Sequence, residues 1–347
     1  VPGAYAKTEE VIELARVAAQ YGGFYATHMR EEGIGLIEAV KEAIEIGRRA
    51  HIPVQISHHK AVGKSMWGRS KQTLQLIDRA IQQGQDITLD QYPYTATSTV
   101  LTVVFPAWSL AGGREALKQR LHDPEMRKKI KAGIVHNILY DRGGGDPASI
   151  VVSSYPADST LEGKNLAEIT RMRGQKPTPA NAAETLMDLV DRGRGRGIYH
   201  CLSETDLVRI MKYPHTMHAS DGVTVEFGKA KPHPRSYGTF PRVLGKYVRE
   251  EKVLPLAEAI RKMTSLPARR LRLQDRGTLK EGYWADVVIF DPQTVRDRAT
   301  WSHPHQYPQG IPYVIVNGTL AIDREKFTGK YPGRVLYGPG KQAENQP

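Results

Sequence analysis

Two short stretches of this sequence decide its fold: residues 24–28, which read FYATH, and residues 53–60, which read PVQISHHK. Each starts as an apolar run that favours a β-strand and ends in a histidine, His28 in the first and His58 in the second. The segment between them has the length and apolar spacing of a helix. This pattern predicts a β-α-β unit, in which both histidines follow their strands at one edge of a parallel sheet.

The alternation of helix and strand continues along the chain. A first helix is predicted to be capped by Thr8 and ended by Gly22-Gly23, and further helices cover residues 36–49, 70–83, 114–133, 163–173, 181–191, 204–212, 239–250, 255–263 and 267–272. Further strands are predicted at residues 87–90, 149–153 and 198–201, and residues 216–222 resemble another strand end. Beyond Gly277 the pattern changes to short strands at 285–291 and 313–316, joined by connections rich in proline and glycine. The sequence therefore predicts a parallel α/β domain followed by a small β domain.

Composition narrows the classes of partner. The 347-residue chain has a formal net charge of +12, but its lysines and arginines are spread along it rather than gathered in one stripe. We interpret its densest cluster, residues 192–197 (RGRGRG), as a solvated loop rather than an RNA-binding segment, and the charge favours small anionic substrates. No apolar run approaches the roughly 20 residues of a membrane-spanning helix. The single cysteine, Cys201, is typical of a reducing, cytoplasmic compartment, and homo-oligomerisation is left open.

The two strand-end histidines are candidates for a metal site. Ligands bind beyond the carboxyl ends of parallel strands, so His28 and His58 are expected to face one cavity. Neutral imidazole is the commonest nitrogen ligand of zinc and similar ions. The alternative is that one or both histidines are hydrogen-bonded core residues.

Other polar residues near predicted strand ends complete a candidate site. Asp221 could act as a general acid/base, although Asp-Gly is also a common turn. Lys60 and Arg235 could pair with a substrate carboxylate, or could be surface cations. Tyr92 could contact substrate or could be a packed ring. Together these residues predict metal-dependent hydrolysis of an amide on an anionic substrate.

Several motifs of the chain, spread over almost its whole length, resemble the motif series of the D-aminoacylases. These are N-acyl-D-amino-acid deacylases of the amidohydrolase superfamily. The matching motifs are residues 25–30 (YATHMR), 56–60 (ISHHK), 90–94 (DQYPY), 220–222 (SDG), 233–242 (HPRSYGTFPR) and 276–286 (RGTLKEGYWAD).

This resemblance implies the C-terminal part of a (β/α)₈ TIM-like barrel over residues 1–273 and strands of a small β-sandwich over residues 274–347. It also implies one or two zinc ions and hydrolysis of N-acyl-D-amino acids to a D-amino acid and a carboxylate. The implied roles are zinc ligand for His28 and His58, general acid/base for Asp221, and substrate binding for Lys60, Tyr92 and Arg235. His59 is not expected to be a ligand, because alternation along a strand points its side chain the other way.

The chain departs from the family pattern in what it lacks. The family's His-X-His pair after the first strand and its metal-bridging residue after the fourth have no counterpart in a suitable place. We therefore expect this sequence to start before the fifth strand, so that a full zinc site needs residues outside it. Two alternatives stay open: a cyclic-amide hydrolase of the hydantoinase or dihydroorotase kind, and a truncated remnant without catalytic activity.

Overall fold

The computed structural model describes residues 3–343. Its α-helices are α1 Thr8–Gln20, α2 Leu36–Ala50, α3 Ser70–Gln82, α4 Gly113–His122, α5 Pro124–Tyr140, α6 Leu166–Met172, α7 Pro179–Arg192, α8 Glu204–Lys212, α9 Arg235–Arg242, α10 Leu256–Met263, α11 Ser265–Arg270 and α12 Pro339–Ala343. A π-helix, Val243–Glu250, follows α9 directly. Its strands are β1 Tyr25–Thr27, β2 Val54–Ile56, β3 Ile87–Gln91, β4 Thr97–Val100, β5 Ile150–Ser154, β6 Arg196–Tyr199, β7 Thr216–His218, β8 Val287–Ile289, β9 Tyr313–Val316, β10 Thr319–Asp323 and β11 Lys326–Phe327.

A four-stranded sheet in the order β1-β2-β3-β7 positions the candidate site. All of its strand pairs are parallel, and Thr27 of β1 lies opposite Ile56 of β2. Helices α2 and α3 carry the chain back between these strands and bury Val40 and Ile77 against the sheet. The predicted β-α-β unit is thus present, and His28 and His58 follow adjacent strands at the same edge.

A separate antiparallel layer lies between β3 and β7 in the sequence. Its three strands have the order β4-β6-β5, and helices α4 to α7 pack around it with a core of their own. Strand β4 was not predicted from the sequence. The single helix predicted at 114–133 was wrong, because the helix breaks at Asp123 and a new one starts at Pro124. Asp123 accepts a hydrogen bond from the Met126 N–H at 2.8 Å, which caps α5.

The remaining differences concern element boundaries. The helix predicted at 239–250 begins earlier, because α9 already starts at Arg235, directly after Pro234. Strand β6 begins and ends two residues earlier than predicted. The C-terminal strands form an antiparallel sheet in the order β11-β10-β9-β8, while the division at residues 273 and 274 stays a prediction. Among the described residues, no helix is long and apolar enough to cross a membrane.

Asp206 links α8 to the start of α3, next to the parallel sheet. Its side chain is 2% exposed and accepts hydrogen bonds from the N–H groups of Gly68 at 2.6 Å and Ser70 at 3.3 Å. Arg209 donates to the same carboxylate at 3.0 Å. Asp206 therefore caps a helix whose own flanking residue Arg69 provides no side-chain cap.

Replacing Asp206 by Ala should lower the free energy of unfolding by about 2–3 kcal/mol, because it leaves buried N–H groups of the α3 terminus without an acceptor. Urea denaturation measures this loss. The control is Glu38→Ala, which removes an exposed ion pair with Lys41 and should change stability by about 0.5 kcal/mol or less. Equal effects of the two substitutions would contradict the capping role of Asp206.

Candidate active site

A cavity of about 300 Å³ lies at the carboxyl ends of the parallel strands. It is bounded on another side by β4 and β6, which contribute residues such as Thr97 and Tyr199. The residues singled out from the sequence that line this cavity are His28, His58, Lys60, Tyr92, Asp221 and Arg235. The structure therefore brings all six predicted site residues to one place, although they come from four separate regions of the chain.

The two histidines face each other across the ends of β1 and β2. Nδ1 of His28 lies 2.8 Å from Nε2 of His58, and Nδ1 of His58 lies 3.0 Å from Oε1 of Glu32. The potential ligand atoms of these three side chains all lie within 4.8 Å of one another. The same Nδ1 lies 2.8 Å from the Lys60 ammonium nitrogen. In the tautomer whose Nδ1–H donates to Glu32, Nε2 directs its lone pair toward His28, as metal binding requires.

Glu32 is a buried carboxylate, 4% exposed, and its charge is balanced by Lys60. The Lys60 ammonium donates to Glu32 at 2.6 Å and to the His58 carbonyl oxygen at 2.7 Å. Burial alone would raise the pKa of Glu32, but the Lys60 charge and the hydrogen bond from His58 outweigh burial and hold this pKa well below its usual range. Glu32 is therefore ionised at neutral pH.

His28 opens onto the cavity. Loss of water around its ring nevertheless lowers its pKa from the ordinary histidine value, and it outweighs the nearby charge of Glu32, which would raise this pKa. The ring is therefore neutral at neutral pH. This is the form in which an imidazole binds a metal ion.

His58 occupies an unusual backbone conformation that its neighbours hold in place. Its φ angle is +39°, in the left-handed region that residues other than glycine seldom adopt. Asp90, in β3, accepts the His58 N–H at 2.7 Å with one carboxylate oxygen and an N–H of Gln55 at 2.6 Å with the other. This hydrogen bonding positions His58, because backbone strain of this kind persists only where the surrounding structure enforces it.

The next residue, His59, points away from the histidine pair. Its Nε2 lies 2.9 Å from the hydroxyl of Thr73 on α3, and the side chain is fully buried. Burial lowers the pKa of His59 to about 4. His59 is thus a hydrogen-bonded core histidine, and its side chain points away from the pair as the strand alternation predicted.

Asp221 and Arg235 form an ion pair at another side of the cavity. Oδ2 of Asp221 accepts from Nη1 of Arg235 at 2.9 Å, and the aspartate side chain is 40% exposed. The buried guanidinium lies 4.6 Å from the ring centre of Tyr92. The Tyr92 hydroxyl is buried without a hydrogen-bond partner among the described residues. Burial raises the pKa of Tyr92 well above its ordinary value, so it remains a proton donor.

Sequence reasoning missed Glu32 and Asp90. Glu32 lies four residues after His28 in a polar loop with no periodicity to mark it, although a carboxylate so close to a candidate ligand was a usable signal. Asp90 carried the same signal as Asp221, a carboxylate at a strand end. Arg142 also lines the cavity. It lies in a turn far from the other site residues in the sequence, and no local pattern indicated its role.

Comparisons with known proteins agree with this fold. The family model described as Amidohydrolase family matches residues 157–322. A D-aminoacylase of Alcaligenes xylosoxydans xylosoxydans is 39% identical over 335 residues, which are 96% of this chain and 59% of that protein.

Solved structures of D-amino-acid deacylases are also similar to this chain. A crystal structure of a D-aminoacylase has a TM-score of 0.76 and 38% identity, with 97% of this chain and 60% of that one covered. The N-acyl-D-glutamate deacylase of Bordetella bronchiseptica, solved with zinc and a phosphonate mimic of the tetrahedral intermediate, has a TM-score of 0.73 and 35% identity. That match covers 92% of this chain and 57% of the deacylase.

The fold is therefore that of the amidohydrolase superfamily, with a TIM-like barrel architecture. Within it, the chain is similar to D-aminoacylases and to an N-acyl-D-glutamate deacylase over 92% to 97% of its length. The chain spans 57% to 60% of the length of the relatives that it matches.

Glu32→Gln should lower the free energy of unfolding by about 3–5 kcal/mol, because it leaves the buried Lys60 ammonium without its counter-charge. Chemical denaturation tests this loss. Glu31→Gln is the matched control, since it removes a more exposed carboxylate paired with Arg142 and should cost about 1 kcal/mol or less. Adding Lys60→Met to Glu32→Gln should recover most of the stability, and a double variant no more stable than the single one would refute the pairing.

Proposed function

We propose that this chain provides the active-site residues of a zinc-dependent hydrolase that cleaves the amide bond of N-acyl-D-amino acids. The products are a D-amino acid and a carboxylate. The observation that carries this proposal is the single cavity that gathers a histidine pair, an aspartate and a buried arginine, in a chain 39% identical to a D-aminoacylase. We also propose a small-molecule substrate and, from the single cysteine, a reducing cytoplasmic compartment.

His28 and His58 suit zinc by the chemistry of their donors. Both present ring nitrogens to the same point, and their facing nitrogens lie 2.8 Å apart. Glu32 and Asp90 hold His58 through its Nδ1 and its backbone N–H, as partners of metal-binding histidines commonly do. When bound, zinc supplies Lewis acidity to the amide carbonyl and makes a water molecule more acidic. His28 and His58 would hold the ion, and Glu32 would orient His58.

Asp221 is the proposed proton carrier of the reaction. Hydrolysis adds the OH of water to the acyl carbon and breaks the C–N bond, so that one proton must reach the departing nitrogen. One oxygen of Asp221 accepts the hydrogen bond from Arg235, and the other is available to take that proton from water. Asp221 then donates the proton to the nitrogen, which leaves as a free amine.

The proposed site for the substrate's α-carboxylate is built around Arg235. A guanidinium has five N–H donors, so Arg235 can keep its contact with Asp221 and still bind a carboxylate in bidentate fashion. Tyr92, with its hydroxyl proton and no partner among the described residues, is the proposed second donor. Lys60 contributes positive charge to the same cavity while it holds Glu32. The proposed position of the substrate amide is between the carboxylate site and the histidine pair.

The activity test is release of amine from N-acetyl-D-leucine and N-acetyl-D-methionine by the purified chain with added zinc. The L-enantiomers serve as the stereochemical control, and a chelator-treated sample serves as the metal control. The proposal predicts turnover of the D-substrates, and only when zinc is present. Absence of turnover of every substrate would contradict it for this chain.

His28→Ala and His58→Ala should each reduce bound zinc, because each removes one of the two proposed nitrogen ligands. Elemental analysis after dialysis measures the zinc content. His122→Ala is the control, since that histidine is 67% exposed and pairs with Asp191. Unchanged zinc content in both variants would show that His28 and His58 are not zinc ligands.

Asp221→Asn should lower kcat by about 10²-fold or more while zinc content is retained, because the asparagine side chain cannot accept the proton from water. The matched control is Glu226→Gln, which removes an exposed carboxylate of the same loop. The control should keep the unsubstituted rate. A rate for Asp221→Asn equal to that of the control would exclude Asp221 from the mechanism.

A further inference from the structure

Strands β4 and β6 form a wall of the cavity that no residue of the proposed mechanism occupies. They pair antiparallel, with Thr99 opposite Gly197 and Val100 opposite Arg196. The residues that this wall contributes to the cavity lining are Thr97, Ser98, Thr99, Arg196 and Tyr199. It is therefore rich in hydroxyl groups and carries one positive charge.

Arg196 differs from the other cations that line the cavity. Lys60 pairs with Glu32 at 2.6 Å, and Arg235 pairs with Asp221 at 2.9 Å. Arg142 pairs with Glu31 and, at 3.3 Å, with Asp141. In the part of the chain that the structure describes, Arg196 has no carboxylate partner.

The structure also explains the glycines that flank Arg196. A Cβ atom on Gly195 would lie 2.6 Å from Cδ1 of Leu101, and one on Gly197 would lie 3.0 Å from the ring of Tyr199. Close packing of the strand therefore requires both glycines. The Arg-Gly run is not a solvated loop at this point, because Arg196 begins a paired strand whose neighbours fix its position beside the cavity.

We propose that Arg196 binds a second carboxylate, on the side chain of the substrate, so that the preferred substrates are N-acyl derivatives of acidic D-amino acids. This inference rests on the proposed deacylase function, in which Arg235 takes the α-carboxylate. The planar guanidinium matches a carboxylate in bidentate fashion, and the threonine hydroxyls of β4 are further donors. A cavity of about 300 Å³ is at the small end for ligand sites and suits a short acidic substrate better than a long acyl chain.

The sharpest test compares N-acetyl-D-glutamate with N-acetyl-D-glutamine, which have nearly the same shape and differ by one charge. A charge-assisted bidentate pair predicts a kcat/KM at least about tenfold higher for the glutamate derivative. N-acetyl-D-aspartate and its amide provide the shorter pair of substrates. Isothermal titration calorimetry of the glutamate and glutamine derivatives measures the same preference as a ratio of dissociation constants.

The matched variants are Arg196→Gln and Arg192→Gln. Both remove one exposed positive charge from the same Arg-Gly run, but Arg192 ends α7 and does not line the cavity. Arg196→Gln should bring the glutamate-to-glutamine ratio close to one, whereas Arg192→Gln should leave the ratio high. An equal fall in both variants would show a general effect of net charge and would overturn the assignment to Arg196.

The outcomes separate this inference from the proposed function. Turnover of N-acetyl-D-leucine or N-acetyl-D-glutamine as good as that of N-acetyl-D-glutamate would overturn the acidic preference and leave the deacylase function standing. Failure to turn over any substrate would refute the deacylase function in this chain. In that case the calorimetric ratio decides the role of Arg196, since a ratio near one in the unsubstituted chain contradicts it and a high ratio lost only in Arg196→Gln supports it.

Discussion

The buried ion pair between Lys60 and Glu32 is the interaction on which the candidate site depends. Taking two charges out of water costs several kcal/mol for each ion, and only close pairing with further hydrogen bonds compensates that cost. Lys60 meets this need with two hydrogen bonds, one to Glu32 at 2.6 Å and one to the His58 carbonyl oxygen at 2.7 Å. The same pair fixes the end of β2. Loss of either charge would therefore also disturb the orientation of His58.

The parallel sheet provides the frame for that cluster. Strands β1, β2 and β3 are adjacent and in register, so the residues that follow them meet at one edge. Asp90 of β3 then holds the backbone of His58 in a left-handed conformation that would be unfavourable without this hydrogen bond. The proposed chemistry uses groups at the same edge: neutral histidine nitrogens, an aspartate after β7, and an arginine that a helix terminus carries into the cavity.

Periodicity predicted the parts of this structure that are local. The apolar runs before His28 and His58, with a helix between them, were enough to predict parallel strands and a shared edge, and family resemblance extended that to a barrel. Strand β4 escaped prediction because Thr97 to Val100 pairs with β6, about 100 residues later, and nothing nearby marks it. Glu32 was missed because its role comes from a contact with Lys60 across two loops. Arg196 was missed because its Arg-Gly run resembles a solvated loop. The roles of the six site residues remain proposals, although one cavity contains them all.

The most direct test of the account is anomalous diffraction at the zinc absorption edge, on crystals of this chain grown with zinc. The account predicts an anomalous peak at bonding distance from Nδ1 of His28 and Nε2 of His58, about 2.0–2.1 Å for zinc and a histidine nitrogen. Glu32 should still accept a hydrogen bond from Nδ1 of His58 in the same crystal. Crystals with no peak between these two nitrogens, or with zinc bound only elsewhere, would contradict the claim that the histidine pair is a metal site.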